Sequence, residues 1–276
     1  MMAFENKILL AGLDLDGTLL KNDKTISAFT AAAMRSARTR GIQLVPVTGR
    51  PLSGIPKCVT ELGVCDYAIT TNGAAITDLK TGKRVYSAPI GHEKTVLLMK
   101  TLEKNGVLFE AFADGFGFLK PELMERYDHK YKNTPVGDYI HSSRKIAEDP
   151  LQLFSDEEKC ADEIFISCKR REERDRLAEK FAADREIQLC RLEDTFLEIT
   201  RRGAEKGTAF LHLCALLGID RKHTAAFGDN ANDLSLVKAA GVFIAMGNAA
   251  EDFKLQANVV ADTNEQDGVA KMLNKF

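Results

Sequence analysis

Short apolar segments alternate with amphipathic ones along the first 86 residues of the chain. Residues 8–13, 42–47 and 67–70 are apolar runs with the length of buried strands. Residues 25–40 and 52–62, which lie between these runs, have the spacing and the end residues of helices. The order strand-helix-strand-helix-strand predicts an α/β fold with a doubly wound parallel sheet.

The pattern changes between about residues 87 and 194. Residues 107–113 and 116–119 flank an Asp-Gly pair, which predicts a hairpin. The other elements predicted in and just after this segment are helices at 93–105 and 170–184 and strands at 163–168, 187–192 and 195–200. This mixture favours an inserted α+β module over further parallel sheet. We therefore expect a core domain in two parts, residues 1–86 and 195–276, with an inserted domain at residues 87–194.

Composition and charge exclude several kinds of partner. The net charge of −2 over 276 residues gives no electrostatic reason to expect nucleic acid or an anionic membrane. No apolar run approaches the ~18 residues that a bilayer span needs, and the N-terminus lacks the pattern of a signal peptide. The six cysteines are scattered without a Cys-x-x-Cys pair, which predicts reduced thiols and a cytoplasmic protein. The pattern gives no indication of the oligomeric state.

Candidate chemistry begins where the first predicted strand ends. Asp14 and Asp16 follow the apolar run, and Gly17 allows a turn directly after them. Ligands bind at the carboxyl ends of strands in an open parallel sheet, and two carboxylates there are costly unless a cation neutralises them. A hard divalent metal ion is the expected cation, and a simple Asp-Gly turn is the alternative. An EF-hand loop is excluded, because its glycine position would hold Leu19 and its glutamate position Thr25.

Further polar residues follow other predicted strands or begin a helix. Thr48 and Gly49 could offer a hydroxyl and backbone N–H groups to an anion, or form a plain turn. Lys206 lies in the first turn of a predicted helix, where its charge opposes the helix dipole; a functional role and a solvated lysine both explain that position. Residues 228–233, Gly-Asp-Asn-Ala-Asn-Asp, form a second acidic strand end. The motifs of P-loop nucleotide sites, zinc proteases and serine hydrolases are not found.

Together and in order, these segments resemble the four motifs of phosphatases in the haloacid dehalogenase superfamily. The matching residues are Asp14-Leu15-Asp16-Gly17-Thr18, Thr48-Gly49-Arg50, Lys206-Gly207 and Gly228-Asp229-Asn230-Ala231-Asn232-Asp233. The stretch from Gly228 to Gly247-Asn248-Ala249 is similar to the Cof-type subgroup (subfamily IIB), which hydrolyses small phosphorylated metabolites. The insert at residues 87–194 matches the mobile α+β cap (type C2) of that subgroup. Each motif is weak alone, but four in order at these spacings are specific.

The resemblance implies a role for each matching residue. Asp14 would be the nucleophile that accepts the phosphoryl group, and Asp16 would protonate the leaving oxygen and then activate water. The implied Mg²⁺ ligands are the Asp14 carboxylate, the Asp16 backbone carbonyl and Asp229, with Asp233 or Asn230 close by or acting through water. The implied phosphate ligands are Thr48, Lys206 and Asn232 with the backbone N–H groups of Leu15 and Gly49.

The charges of this set suit phosphoryl transfer. The ionised carboxylates of Asp14, Asp16, Asp229 and Asp233 would carry four negative charges. Mg²⁺ and Lys206 would cancel three of these, and a proton on Asp16 would cancel the fourth, which leaves a neutral pocket for a phosphate dianion. The negative neighbours are also expected to raise the pKa of Asp16, as a proton donor requires.

The inserted domain offers aromatic and acidic residues that could line a sugar-sized pocket. These candidates are Glu110, Asp114, Phe116, Phe118 and Tyr127. Core packing or a hairpin surface is the preferred interpretation of the same residues.

Three functions remain open at this point. The first is a Mg²⁺-dependent phosphatase that acts on sugar phosphates or similar small monoesters. A phosphomutase would share the nucleophile but return the phosphoryl group to its substrate, so release of free phosphate separates these two. A phospho-aspartate signalling module would keep a stable aspartyl phosphate; Asp16 argues against this, because a second acid speeds dephosphorylation.

Overall fold

The structure is a computed structural model that describes residues 6–192 and 194–276. The chain forms two compact units, which we describe separately. The core unit consists of residues 6–49, 55–87 and 205–276, and the inserted unit consists of residues 50–54 and 88–204.

The described strands, in chain order, are β1 (Leu10–Leu13), β2 (Gln43–Pro46), β3 (Tyr67–Thr70), β4 (Ala75–Asp78), β5 (Arg84–Ser87), β6 (Leu108–Ala113), β7 (Phe116–Leu119), β8 (Arg144–Ile146), β9 (Glu163–Ser167), β10 (Ile187–Leu192), β11 (Phe196–Arg201), β12 (Thr224–Gly228), β13 (Val242–Ala245) and β14 (Val259–Val260). The α-helices are α1 (Ala28–Thr39), α2 (Lys57–Thr60), α3 (His92–Lys104), α4 (Pro121–Tyr131), α5 (Pro135–Ser143), α6 (Pro150–Asp156), α7 (Arg171–Phe181), α8 (Lys206–Leu217), α9 (Leu234–Ala239), α10 (Glu251–Lys254) and α11 (Gly268–Leu273). Short 3₁₀ turns lie at Leu52–Gly54, Thr71–Gly73, Arg221–His223, Ala231–Asp233 and Asn264–Gln266.

Five strands of the core unit form a parallel sheet in the order β14-β13-β12-β1-β2. Leu13 at the end of β1 lies opposite both Phe227 of β12 and Pro46 of β2. Every residue of β1 and β12 is buried, which explains their near-continuous apolar sequence. Because both strands run in the same direction, the residues that follow them, Asp14 and Asp229, lie at the same edge of the sheet.

Helix α8 is fixed on this sheet by its apolar side chains. Phe210 and Leu213 are fully buried in one cluster with Val47. A Cβ atom at Gly12 would lie 2.8 Å from the Phe210 ring, so the glycine in β1 lets that ring pack directly on the strand. Burial of a Phe or Leu side chain stabilises a fold by about 1.5–3 kcal/mol. This packing holds the first residue of α8, Lys206, close to the end of β1.

The third predicted strand, β3, pairs along its whole length with β4, in a sheet separate from the five-stranded parallel sheet. β3, β4 and β5 form an antiparallel sheet, with β4 in the centre. This sheet meets the parallel one through isolated parallel bridges, Leu44 with Cys65 and Val47 with Ile69. The chain at β3 therefore runs parallel to the chain at β2, as the sequence predicted, but the two pair at isolated bridges, whereas the continuous pairing of β3 with β4 is antiparallel.

The predicted helix at residues 52–62 is also interrupted. The structure has a 3₁₀ turn at Leu52–Gly54, which belongs to the inserted unit, and the short helix α2 in the core unit. Pro56 precedes α2 with extended backbone angles. A proline lacks the N–H that a continuous helix would use and disfavours a helical conformation in the residue before it.

Six strands of the inserted unit form a sheet in the order β10-β11-β9-β6-β7-β8. The neighbouring pairs are antiparallel except β7 with β8. Alternate residues such as Phe109, Ile164 and Ile199 form one apolar core with residues of α3, α6 and α7. A second cluster, which includes Leu123 of α4 and Ile140 of α5, packs against β7. The α/β core and the inserted α+β domain therefore agree with the predicted fold class.

The second boundary of the inserted unit differs from the prediction. This unit continues to residue 204, whereas the sequence placed the return to the core after residue 194. The intervening strand β11 lies between β9 and β10, with Glu198 opposite Phe165 and Cys190. The local pattern of a strand does not show which strands will pair with it, so the pattern of residues 195–200 could not assign β11 to the inserted unit.

Among the helices of the described residues, none combines the length and the apolar character needed to cross a membrane.

Candidate active site

Acidic residues from both flanks of the chain meet at the carboxyl edge of the core sheet. Asp14 directly follows β1, and its N–H donates to the Phe227 carbonyl of β12 at 3.3 Å. Asp229 directly follows β12. One carboxylate oxygen from each of Asp14, Asp229 and Asp233 lies within 4.8 Å of the others. Adjacent parallel strands thus bring together three acids that the sequence separates.

The turn after β1 is shaped around Asp229. Gly17 has a φ of +78°, which favours glycine, and a Cβ atom there would overlap the Asp229 carboxylate. Thr18 donates from Oγ1 to Asp229 Oδ1 at 2.9 Å. The glycine therefore allows the turn after β1 and also leaves room for Asp229, which belongs to the second acidic loop at residues 229–233.

Lys206 brings a buried positive charge to the acids. Its Nζ lies 2.7 Å from Asp14 Oδ1 and 2.7 Å from Asp233 Oδ1, and its side chain is 1% exposed. At the next position, the N–H of Gly207 donates to Ser235 Oγ at 2.9 Å, and a Cβ atom would overlap the Ser235 backbone. The glycine lets α8 approach α9 closely enough for the ammonium to reach both carboxylates.

Asp233 is positioned by the 3₁₀ turn at Ala231–Asp233. Its Oδ2 accepts the N–H of Asp229 at 3.0 Å and that of Asn230 at 3.2 Å. Asn230, which is exposed, caps the same turn by accepting the Ala231 N–H at 2.7 Å. Asp233 therefore orders the second acidic loop while its other oxygen binds Lys206.

The charged groups shift one another's pKa. Burial raises the pKa of Asp14 well above its usual value, and the charge of Asp233 raises it further, although Lys206 lowers it. Burial and Asp233 also raise the pKa of Asp229 to about 6. Burial lowers the pKa of Lys206, but the charges of Asp14 and Asp233 outweigh this and hold the pKa above its usual value. When ionised, three carboxylates and one ammonium carry two net negative charges, which a divalent cation would balance.

The residues expected to hold phosphate also lie in the core unit. Thr48, which follows β2, is buried, and its N–H donates to the Ile69 carbonyl at 2.9 Å. Gly49 and Asn232 are half-buried, and Leu15 is buried next to Asp14. Their roles in binding phosphate stay predictions.

Asn72 connects two of these residues, and the sequence analysis did not select it. It follows β3 with a φ of +51° and is buried. Its Oδ1 accepts from Asn232 Nδ2 at 3.1 Å, and its N–H donates to the Thr48 carbonyl at 3.1 Å. The sequence did contain a pattern that could have identified Asn72. Thr71-Asn72-Gly73 directly follows a predicted strand, as Thr48-Gly49 does.

The side chain of Asp16 has a different neighbour from those of the other acids. Its Oδ1 lies 2.7 Å from Nζ of Lys24. Lys24 was also missed by the sequence analysis, because a lysine in a polar turn has no pattern that distinguishes it from a solvated one.

The candidates Glu110 and Tyr127 of the inserted unit are buried in one polar cluster. Glu110 accepts from Arg144 Nε at 2.7 Å and from a terminal nitrogen of the same guanidinium at 3.1 Å. Tyr127 donates to Glu110 at 3.2 Å. The guanidinium carbon of Arg144 also lies 4.5 Å from the centre of the Tyr139 ring. The sequence did not identify Arg144 or Tyr139, because their partners come from distant segments.

The other candidates of the inserted unit have structural surroundings. Phe118 belongs to the main apolar core of the unit, and Phe116 packs against that core. Asp114 occupies the hairpin turn with a φ of +53°, is largely exposed, and pairs with Lys159 at 2.7 Å. Contact of any of these residues with substrate stays a prediction.

Known proteins are similar to this chain over most of its length. The sequence profile of the haloacid dehalogenase-like hydrolases matches residues 12–273. Phosphatase YwpJ of Bacillus subtilis is 28% identical over 96% of this chain and 98% of its own length. Pyridoxal phosphate phosphatase YbhA of Escherichia coli is 28% identical over 95% of this chain and 96% of its own length.

A solved structure extends the similarity to the fold. A haloacid dehalogenase-like hydrolase from B. subtilis superposes with a TM-score of 0.85 at 28% identity, over 97% of this chain and 99% of that one. With the acidic strand ends and the buried lysine in place, the chain belongs to the haloacid dehalogenase-like hydrolases and, within them, to the Cof-type phosphatases.

Proposed function

We propose that this enzyme is a Mg²⁺-dependent phosphatase that hydrolyses small phosphorylated metabolites through an aspartyl-phosphate intermediate. The observation that carries the proposal is the convergence of Asp14, Asp229 and Asp233 within 4.8 Å, with Lys206 bound to Asp14. Phosphoryl transfer depends mainly on positioning the reactants and neutralising the phosphoryl oxygens. A carboxylate nucleophile divides the reaction into two easier steps.

The donor set fits Mg²⁺. All three clustered side chains offer carboxylate oxygens, which hard divalent cations prefer. The carboxylates of Asp14, Asp229 and Asp233 and the backbone carbonyl of Asp16 would hold the ion. When bound, Mg²⁺ would supply positive charge to the phosphoryl oxygens.

Asp14 would supply the attacking oxygen. Its carboxylate forms a bond to phosphorus while the bond from phosphorus to the leaving oxygen breaks, and Asp16 gives its proton to that oxygen. In the second step, Asp16 takes a proton from water, the water oxygen bonds to phosphorus, and the Asp14 carboxylate is released. Lys206 supports the first step, because its contact with Asp14 Oδ1 at 2.7 Å restricts rotation of the nucleophile.

The phosphate would be held at the edge of the core sheet. Thr48, Gly49 and Asn232 would bind its oxygens together with Lys206 and the N–H of Leu15. Asn72 supports this assignment, because its bonds to Asn232 and to the Thr48 backbone tie two of these elements together.

The names of two relatives support the proposed substrate class. Both are named as phosphatases, and one is named for pyridoxal phosphate, a small phosphorylated metabolite. We extend this class to the present chain, with sugar phosphates and similar monoesters as its members. The free cysteines support a reducing, cytoplasmic setting for the reaction.

The experiment measures free phosphate released from 4-nitrophenyl phosphate and a panel of metabolite phosphates. We expect activity with Mg²⁺, loss of activity in EDTA, and recovery when Mg²⁺ is restored. Asp14→Asn should eliminate turnover with an unchanged circular dichroism spectrum, and Asp262→Asn, an exposed position paired with Lys271, serves as the matched control.

Activity that persists in EDTA would contradict the metal dependence. An isomerised phosphate ester without free phosphate would instead identify a phosphomutase. A stable phosphorylated Asp14 without turnover would identify a signalling module.

A further inference from the structure

The 3₁₀ turn at Thr71–Gly73 has an unusual backbone for a buried segment. Thr71, Asn72 and Gly73 have φ angles of +47°, +51° and +96°, and all three residues are buried. The left-handed region favours glycine and is costly for a β-branched residue such as threonine. Among the described residues, the buried Oγ1 of Thr71 also has no hydrogen-bond partner. Such strain persists where the surrounding structure enforces it, and strained residues cluster at functional sites.

Two of the proposed phosphate-binding segments pack directly against this turn. The N–H of Asn72 donates to the Thr48 carbonyl at 3.1 Å. A Cβ atom at Gly49 would lie 3.1 Å from Oδ1 of the same asparagine. On the other side, a Cβ atom at Gly73 would overlap the carbonyl of Glu205, which precedes α8. The turn is therefore fixed against the end of β2 and the start of α8, and this packing explains how its conformation is enforced.

The side chain of Asn72 reaches a third segment, the second acidic loop. Its Oδ1 accepts a hydrogen bond from Nδ2 of Asn232 at 3.1 Å, across 160 positions of the sequence. Within the described residues, this is the one hydrogen bond of the Asn232 side chain. An amide nitrogen carries two N–H donors. One of them is thus held by Asn72, and the second is left for another acceptor.

We propose that Asn72 is a positioning residue that fixes the orientation of the Asn232 amide. The inference rests on the proposed function, in which Asn232 binds a phosphate oxygen. The oxygen and the nitrogen of an amide are alike in size, so hydrogen bonds decide which of two orientations the group adopts. In the reversed orientation two carbonyl oxygens would face each other, and an oxygen of Asn232 would take the place of the N–H that an anion requires. Asn72 acts through Asn232 and not on the phosphate itself.

The size of the effect follows from the arrangements that the Asn232 side chain would otherwise adopt. The staggered wells of χ1 and the two orientations of the amide give about six arrangements. When one of these binds phosphate, loss of the Asn72 contact lowers the competent fraction to about one in six. The apparent dissociation constant for phosphate then rises by the same factor.

The test combines substitutions at the two asparagines. Asn72→Gly removes the amide but suits the left-handed backbone, because glycine adopts a positive φ without strain. Asn133→Gly is the matched control, since Asn133 is exposed in the inserted unit and has a φ of +59°. Asn232→Ala and the double variant show whether the two positions act together. The inhibition constant of inorganic phosphate, measured against hydrolysis of 4-nitrophenyl phosphate with Mg²⁺ present, reports binding of the phosphate group.

We expect Asn72→Gly to raise this inhibition constant about sixfold, and Asn133→Gly to leave it unchanged. Asn232→Ala should raise it at least as much, and adding Asn72→Gly to Asn232→Ala should change it by less than about twofold. A change of less than about twofold in Asn72→Gly alone would overturn the proposal. Losses that multiply in the double variant would overturn it as well, because they show that Asn72 affects phosphate binding by a route other than Asn232.

The NMR signals of the Asn232 side-chain N–H groups supply a readout that does not depend on activity, and they are assigned by their loss in Asn232→Ala. We expect slow exchange of these protons with solvent in the wild type and in Asn72→Asp, which keeps an acceptor oxygen and tolerates the left-handed region. Exchange should be fast in Asn72→Gly, and equally slow exchange there would overturn the positioning role even if the enzyme is active. A wild-type chain that releases no phosphate from the ester would instead overturn the proposed function, while the same spectra would still show whether Asn72 orders Asn232.

Discussion

Nζ of Lys206 lies 2.7 Å from Oδ1 of Asp14, although the two residues are 192 positions apart in the sequence. Both side chains are buried, and the same ammonium binds Asp233 at 2.7 Å. The first residue of a helix and the first residue after a strand thus form one charged cluster. Because the cluster carries a net negative charge, its stability depends on Lys206 and on a bound cation.

Lys206→Met should destabilise the folded protein. It would leave Asp14 and Asp233 buried without their shared partner, and breaking a buried ion pair costs about 3–5 kcal/mol. Urea denaturation without Mg²⁺ measures this loss. Lys222→Met, which removes an exposed pair with Asp220, should change the free energy of unfolding by less than about 0.5 kcal/mol. Equal stability of the two variants would show that Lys206 does not compensate the buried acids.

Asp16→Asn should lower turnover by roughly 10²- to 10⁴-fold, because it removes the group that gives and accepts the proton. Steady-state phosphate release measures the loss, and Asp220→Asn at an exposed position is its control. The fold should be retained, since the Asp16 side chain is 42% exposed. Near-full activity of Asp16→Asn would refute the assigned role.

Binding of Mg²⁺ should weaken as the pH falls below about 6. Burial and Asp233 raise the pKa of Asp229 to about 6, from an ordinary value of 3.8. The metal needs the ionised carboxylate, so its affinity should fall about tenfold for each pH unit below that value. Titration calorimetry at several pH values measures this slope.

The same shift links pH to stability. A carboxyl group with a raised pKa in the folded state binds protons more readily there than in the unfolded chain. Its contribution to stability is therefore present at low pH and is lost as the pH rises from about 4 to 6. Mg²⁺ should offset that loss. The rise in the protein's Tm on addition of Mg²⁺ should therefore be larger at pH 7.5 than at pH 5. An equal increase at both values would rule out Asp229 as a ligand that titrates in this range.

Arg144→Leu should destabilise the inserted unit. Glu110 is 1% exposed and receives two hydrogen bonds from this guanidinium, and a buried carboxylate that loses its partner costs about 3–5 kcal/mol. The double variant Arg144→Leu with Glu110→Leu should be less destabilised than the single one. Arg171→Leu, at an exposed ion pair, is the control. Urea denaturation followed by circular dichroism compares the four proteins, and a single variant as stable as the control would contradict the prediction.

Local patterns were sufficient for most elements of the core. The apolar run before Asp14 predicted β1, and the Asp-Gly pair at Asp114 predicted the hairpin of β6 and β7. Such elements follow from hydrophobic spacing and turn chemistry within a few residues. The helix predicted at residues 52–62 was interrupted at Pro56, where local backbone restriction was underestimated.

Long-range pairing was beyond these patterns. Nothing in the sequence of β11 indicates that it lies between β9 and β10, so the predicted end of the inserted domain at residue 194 differs from the end of the compact unit at residue 204. Asn72 was missed because its partner Asn232 lies 160 positions away in the sequence and only the fold brings the two side chains together.

The sequence by itself determined most strands and helices of the core and the order of the four motifs, because these depend on side-chain periodicity and on the chemistry of neighbouring residues. The tertiary structure alone decided that Asp14, Asp229 and Asp233 share one site and that Lys206 is buried between two of them. These contacts depend on which strands lie side by side and on how closely the helices pack, and both are set by the burial of apolar surface throughout the fold.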